Sequence, residues 1–255
     1  MGGAGLFGSL TPEVWAGGLV FLRVGALVML MPGVGESAVP PRVRLGFSLL
    51  LSLVLTPIVM PTLPAIPNDV GGMAAQGIRE VLVGLVIGAV LRMFLAALAT
   101  AGEVVSLQTT LSFSQTANPL QAQPGTTLAT FLGLFGVVLI FAADLHHGFI
   151  GAVAGSYRLF PVGGGIPVQD AGALAVRVAG DAFSVGIQLA APVIVFALIF
   201  NVATGFVARA MPQFQVFFAA TPLAVLLGLS VFTLSLGGVG LVFVDRYREL
   251  IGRFT

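Results

Sequence analysis

Few side chains in this sequence are placed to do chemistry. Arg23 and Arg92 sit inside long apolar runs, where a charge is costly unless it faces the protein interior or reaches an interface. Glu80, Glu103 and Asp181 are the carboxylates available to pair with them, within the chain or across a subunit contact; the other reading is a polar pathway. These acids fall near the ends of apolar segments, whereas proton relays place several carboxylates within the bilayer. Asp144-Leu145-His146-His147 is the one cluster that resembles a metal site. Metal-binding pairs on a helix favour i,i+4 spacing, and adjacent histidines splay about 100° apart. Hydrogen bonding at a membrane interface is therefore expected there, and no metal. With no Cys, no G-x-S-x-G elbow and no glycine-rich phosphate loop, neither catalytic residues nor a cofactor are expected.

The other candidate is the stretch from Glu103 to Thr127, EVVSLQTTLSFSQTANPLQAQPGTT. After Glu103 no charged residue appears until Asp144, yet Ser, Thr, Gln and Asn are interleaved throughout. That is too polar to face lipid and too uncharged for an ordinary solvated loop. Non-helical backbone at membrane depth is tolerated where it is buried in protein or lines an aqueous cavity. Two readings stay open on the residues alone: a flexible polar connector, or a segment that lines or blocks a pore.

The elements that must position these residues are helices in a membrane. The chain of 255 residues is 57% hydrophobic and 8% charged, whereas about a quarter of a soluble domain is charged. Its apolar runs are long enough for a hydrocarbon core that takes roughly 20 helical residues to cross. The net charge of +1 gives no argument for a nucleic-acid partner. The N-terminus has no basic region ahead of an apolar run and does not read as a standard signal peptide.

Six helical segments are expected in a single integral membrane domain, 1–255. The first starts at Thr11-Pro12-Glu13 and ends at Pro32-Gly33; the second covers Leu45 to Met60 with Pro57 near its end. Gly77 to Ala101 is the third, in which Gly84-x-x-x-Gly88 is a helix-packing signal. Leu128 to Ala143, Val185 to Phe206 and Val216 to Val244 follow, the last open to being two pieces broken near Pro222. Six spans put both termini on one side. Arg79, Arg158, Arg177, Arg246, Arg248 and Arg253 then outnumber Arg42, Arg44 and Arg209 opposite, which favours a cytoplasmic C-terminus. Pro57, Pro192 and Pro222 leave open a small-molecule transporter with broken helices, although no internal repeat supports it.

Several stretches together carry a family resemblance. Arg23, Pro32-Gly33-Val34-Gly35 and Val39-Pro40-Pro41-Arg42-Val43-Arg44 resemble the N-terminal pattern of the FliR family of flagellar biosynthesis proteins. Glu80 with Gly84 and Gly88, then His146 with Ser156 and Phe160-Pro161-Val162-Gly163, are similar to its middle signatures. Arg209-x-x-Pro212-Gln213-x-x-Val216-Phe217, followed by Pro222, is similar to the C-terminal one. The order and spacing cover nearly the whole chain.

The resemblance implies an all-α membrane protein of helical hairpins packed in a hetero-oligomeric export gate, part of it above the bilayer plane. Its place would be the bacterial inner membrane, within the flagellar basal body, beside FliP, FliQ and FlhB-type subunits. Unfolded flagellar subunits would pass through a shared conduit, powered by a separate ATPase and proton-driven machinery. The homologous subunit of a virulence type III secretion system shares these motifs. In the family the Glu103–Thr127 position is a plug. Here Leu107, Leu111 and Phe113 would form its apolar constriction, with Leu111 to Pro119, including Ser114, Gln115 and Asn118, as the tip and Gly102 and Gly125 as hinges. Arg23, Glu80, Arg92, Glu103, Arg209 and Gln213 are expected to make polar contacts between helices or subunits.

Overall fold

The computed structural model describes residues 11–112, 125–164, 168–211, 213 and 215–254. Among them are seven α-helices and no strand: α1 Pro12–Leu30, α2 Pro41–Val59, α3 Val70–Gln108, α4 Thr127–Ala142, α5 Leu145–Leu159, α6 Val168–Ala210 and α7 Val216–Gly252. Five of these, α1, α2, α3, α6 and α7, are long and apolar enough to cross a membrane. The interrupted pair α4–α5 makes a sixth candidate if it is counted as one span. The protein is a multi-pass, all-α membrane protein.

Helix starts follow the local chemistry. Pro12 fills the first position of α1, where a missing N–H costs nothing, and the Thr11 carbonyl accepts from Trp15 N–H at 3.1 Å. The Thr11 hydroxyl itself makes no cap bond. Pro41 likewise opens α2, so Arg42 and Arg44 lie in its first turn rather than in a loop. At α4 the Thr126 hydroxyl accepts from Ala129 N–H at 3.2 Å, an ordinary N-cap bond.

Several helices run further than the sequence suggests. α3, at 39 residues, continues through Gln108 and takes in the opening of the polar stretch. α6 and α7, at 43 and 37 residues, pass through Pro192 and Pro222 without a break. Membrane helices tolerate proline because neighbouring groups re-satisfy the freed carbonyls. The real interruption is at Asp144, whose φ of 56° ends α4 and caps α5. At 1.5 Å per residue α3, α6 and α7 are each about 55–65 Å long, roughly twice the hydrocarbon thickness. Much of each helix therefore lies outside any one bilayer core.

The chain divides into two compact units. The first holds the described residues up to Arg92, Asp144–Val178 and those from Arg248 onward; the second holds Met93–Ala143 and Ala179–Tyr247. In the first, α1 packs on α2 and on the N-terminal half of α3. Gly84 meets the carbonyl oxygen of Arg23, and a Cβ on Gly88 would stand 2.8 Å from that of Leu30, so the G-x-x-x-G spacing sets the approach of the two helices. In the second, Phe94, Phe243 and Tyr247 form an aromatic cluster with centroids 5.4–6.2 Å apart.

Both units leave apolar faces uncovered. Leu49, Leu50, Leu53, Val54 and Ile58 of α2 are exposed, as are Leu223, Leu226, Leu234 and Leu241 of α7. Only 22% of the apolar window of each helix is buried within the chain, so most of their side-chain area is left for lipid or neighbouring subunits.

Candidate functional site

In the first unit a charged cluster lies at the centre of the α1–α3–α5 packing. Arg23 and Glu80 are fully buried. The guanidinium grips the carboxylate in a fork: Nε donates to Oε2 at 2.6 Å and Nη2 to Oε1 at 3.0 Å. Nη1 donates to Ser156 Oγ at 3.2 Å, and Nη2 also donates to the Phe160 carbonyl at 2.8 Å. Tyr157 covers the face of the guanidinium, its ring centroid 3.9 Å from Cζ. The bonds occupy Nε, Nη1 and Nη2, so a buried Arg with five N–H donors is mostly satisfied. Gly84 allows this, because any larger residue there would push α1 away at Arg23 itself.

Of the pairings open on the sequence, the structure selects Arg23 with Glu80. Arg92 instead faces Glu36 at 3.8 Å, with both side chains partly exposed, a contact of little energetic weight. Arg79, next to Glu80, donates to the Pro161 carbonyl at 2.7 Å. Arg209 is exposed in the last turn of α6, and Gln213 is exposed beyond it. In the sequence Ser156 and Phe160 stand out only as family-motif positions, and Tyr157 does not stand out at all. The only sequence signal for it was an aromatic hydroxyl between Ser156 and Arg158 near the end of the helix.

In the second unit the two ends of the polar stretch are fixed. Glu103 is helical, and its Oε1 accepts from Thr126 N–H at 2.8 Å, tying the end of α3 to the start of α4. Gly125 has φ +100°, a region that favours glycine, and a Cβ there would press on the same carboxylate oxygen at 3.3 Å. Gly102 stands inside α3 with no break in the helix. A Cβ on it would collide with Ala129 Cα and come within 2.5 Å of Ala129 N. It is a close-packing residue in this conformation.

Leu107 is exposed in the last turn of α3, and Leu111 is half-buried just after it. Between them Thr110 takes φ 61°, a strained conformation for a β-branched residue, costing on the order of 1–3 kcal/mol. Thr110 borders a cleft of about 260 Å³ with Asn201, Thr204, Thr221 and Phe200, lined by no charged group. Phe113, Ser114, Gln115, Asn118 and Pro119 lie outside the described residues. Among the described residues the cleft is lined by Thr and Asn side chains able to exchange hydrogen bonds.

At the start of α5 the histidines are not splayed as expected. The His146 and His147 ring centroids are 4.2 Å apart, tilted by 37°. His147 Nδ1 is 3.9 Å from Asp144 Oδ1.

Comparison with known proteins places these features in a family. The sequence pattern of the bacterial export proteins, family 1, matches residues 14–250. The flagellar biosynthetic protein FliR of Caulobacter vibrioides is 54% identical over 243 residues, covering 95% of this chain and 97% of that protein. FliR of Escherichia coli is 31% identical over 231 residues, covering 87% and 86%. FliR of Bacillus subtilis is 26% identical over 211 residues, covering 81% and 80%.

Proposed function

We infer the role of the chain from its membership: it belongs to the bacterial export proteins of family 1, and within them to the FliR proteins of flagellar biosynthesis. It is a subunit of the flagellar type III export gate. The observation that carries this is 54% identity to a flagellar relative with both chains covered almost end to end. The flagellar name of the matching relatives favours the flagellar reading over a virulence secretion system. The transporter reading loses its support, since α2, α6 and α7 run through Pro57, Pro192 and Pro222.

The finer role follows from chemistry. The chain acts as one integral membrane domain in the bacterial inner membrane, and does no catalysis of its own. FliP, FliQ and FlhB-type subunits cover the exposed apolar faces of α2 and α7, and unfolded flagellar subunits pass through a conduit they share. The polar segment 103–127 closes that conduit. Its Ser, Thr, Gln and Asn offer hydrogen bonds that any unfolded chain can exchange, without a fixed charge to retain it. Leu107, Leu111 and Phe113 supply an apolar constriction that dewets when shut. The anchoring of Thr126 by Glu103 supports a segment held at its base.

Deleting the gene tests the assignment. The expected result is cells without hook or filament, non-motile, retaining flagellar subunits inside, with swimming restored by the intact gene. Motile, flagellated cells after deletion would overturn it, and loss of effector secretion alone would move the chain to a virulence system.

A further inference from the structure

We propose that Asp144, His146 and His147 form a site for a divalent transition cation of the Zn²⁺ type at the start of α5. One ligand atom from each of the three residues can be chosen so that all lie within 4.8 Å of one another. A tetrahedral zinc with bonds of about 2.0–2.1 Å needs donors about 3.3 Å apart. Asp144 and His147 are 78% and 70% exposed at the side chain, so their rotamers are free to close that gap. His146 is half-buried and serves as the fixed member of the set.

The cluster departs from the usual helical spacing of metal-binding histidines. Adjacent helical histidines would splay about 100° apart, yet the two rings stand with centroids 4.2 Å apart, and Asp144, outside the helix, brings a carboxylate oxygen to 3.9 Å from His147 Nδ1. Two imidazoles and a carboxylate suit zinc, nickel or copper better than magnesium or calcium, which prefer oxygen. Three protein ligands leave the remaining position to water. The helix N-terminus disfavours a cation, and the Asp144 charge offsets this, so the site is one of modest affinity. A bound cation ties the capping residue to the first turn of α5.

The test uses the full chain in detergent, carrying no polyhistidine tag, with Zn²⁺ titrated against a chromophoric chelator at neutral pH. One Zn²⁺ per chain is expected, with His146→Ala and His147→Ala each weakening it by roughly tenfold or more, at least the scale on which outer partners of ligands act. Asp144→Asn, which keeps a residue that tolerates left-handed backbone, weakens it as well. Co²⁺ in the same site gives the visible absorption of a four-coordinate centre. His147→Gln serves as the second variant if His147→Ala melts below the wild type without metal. Uptake no greater than that of the His146→Ala/His147→Ala double variant, or equal uptake in every variant, overturns the site.

Discussion

Replacing Arg23 by Met destabilises the protein by about 3–5 kcal/mol, because it leaves the Glu80 carboxylate buried without its cation. Typical net stabilities are about 5–15 kcal/mol, so a loss of this size keeps most of the chain from accumulating. The Phe160 carbonyl also loses its donor, whereas Ser156 keeps its own bond to the Val153 carbonyl at 2.7 Å. Glu80→Leu strands the guanidinium in the same way. The double variant Arg23→Met/Glu80→Leu removes both charges and recovers much of the loss, since well-packed apolar replacements of buried ion pairs are often neutral. Thermal melting of the four proteins in detergent gives the coupling between the two sites. Additive losses would mean that the ion pair is not what holds α1 to α3.

Gly102→Ala carries the second large effect, and its sign is informative. In an exposed helix interior, Gly to Ala stabilises by about 1 kcal/mol through helix propensity. At Gly102 the new Cβ meets the backbone of Ala129, which cannot rotate away, so the change costs about 1–3 kcal/mol or more. Gly133→Ala on α4, where nothing lies within 4 Å, is the control and should hold or raise the melting temperature. A Gly102→Ala protein as stable as wild type but altered in gating would restore the hinge reading of that residue.

The physical limits of sequence reading show at particular residues. A charge within an apolar run must be paired, so a buried Arg23 was legible, as was the close approach signalled by Gly84 and Gly88. Which carboxylate completes the pair depends on helix register across the packing, and local pattern does not carry that. The extent of α3 was misread for a related reason. Glu103–Gln108 looks like loop by polarity, yet Ser106 is buried within the helix and Glu103 Oε1 accepts from Thr126 N–H. The prolines misled in the other direction, since a membrane helix accommodates them. Asp144 gave no sign of its left-handed backbone, although Asp is among the residues that adopt it without great cost. The close approach of the His146 and His147 rings was not legible either, because adjacent helical positions point about 100° apart.

We propose that the segment between α3 and α4 closes a conduit that this chain shares with its partners. Deleting 111–119 while keeping Glu103, Gly125 and Thr126 leaves the anchored base intact and, on this proposal, removes the closure. Ion or small-solute leakage through the purified, assembled gate in lipid vesicles is the direct measurement. The expected result is intact assembly with leakage raised well above the wild-type gate. Wild-type leakage in fully assembled complexes would contradict it.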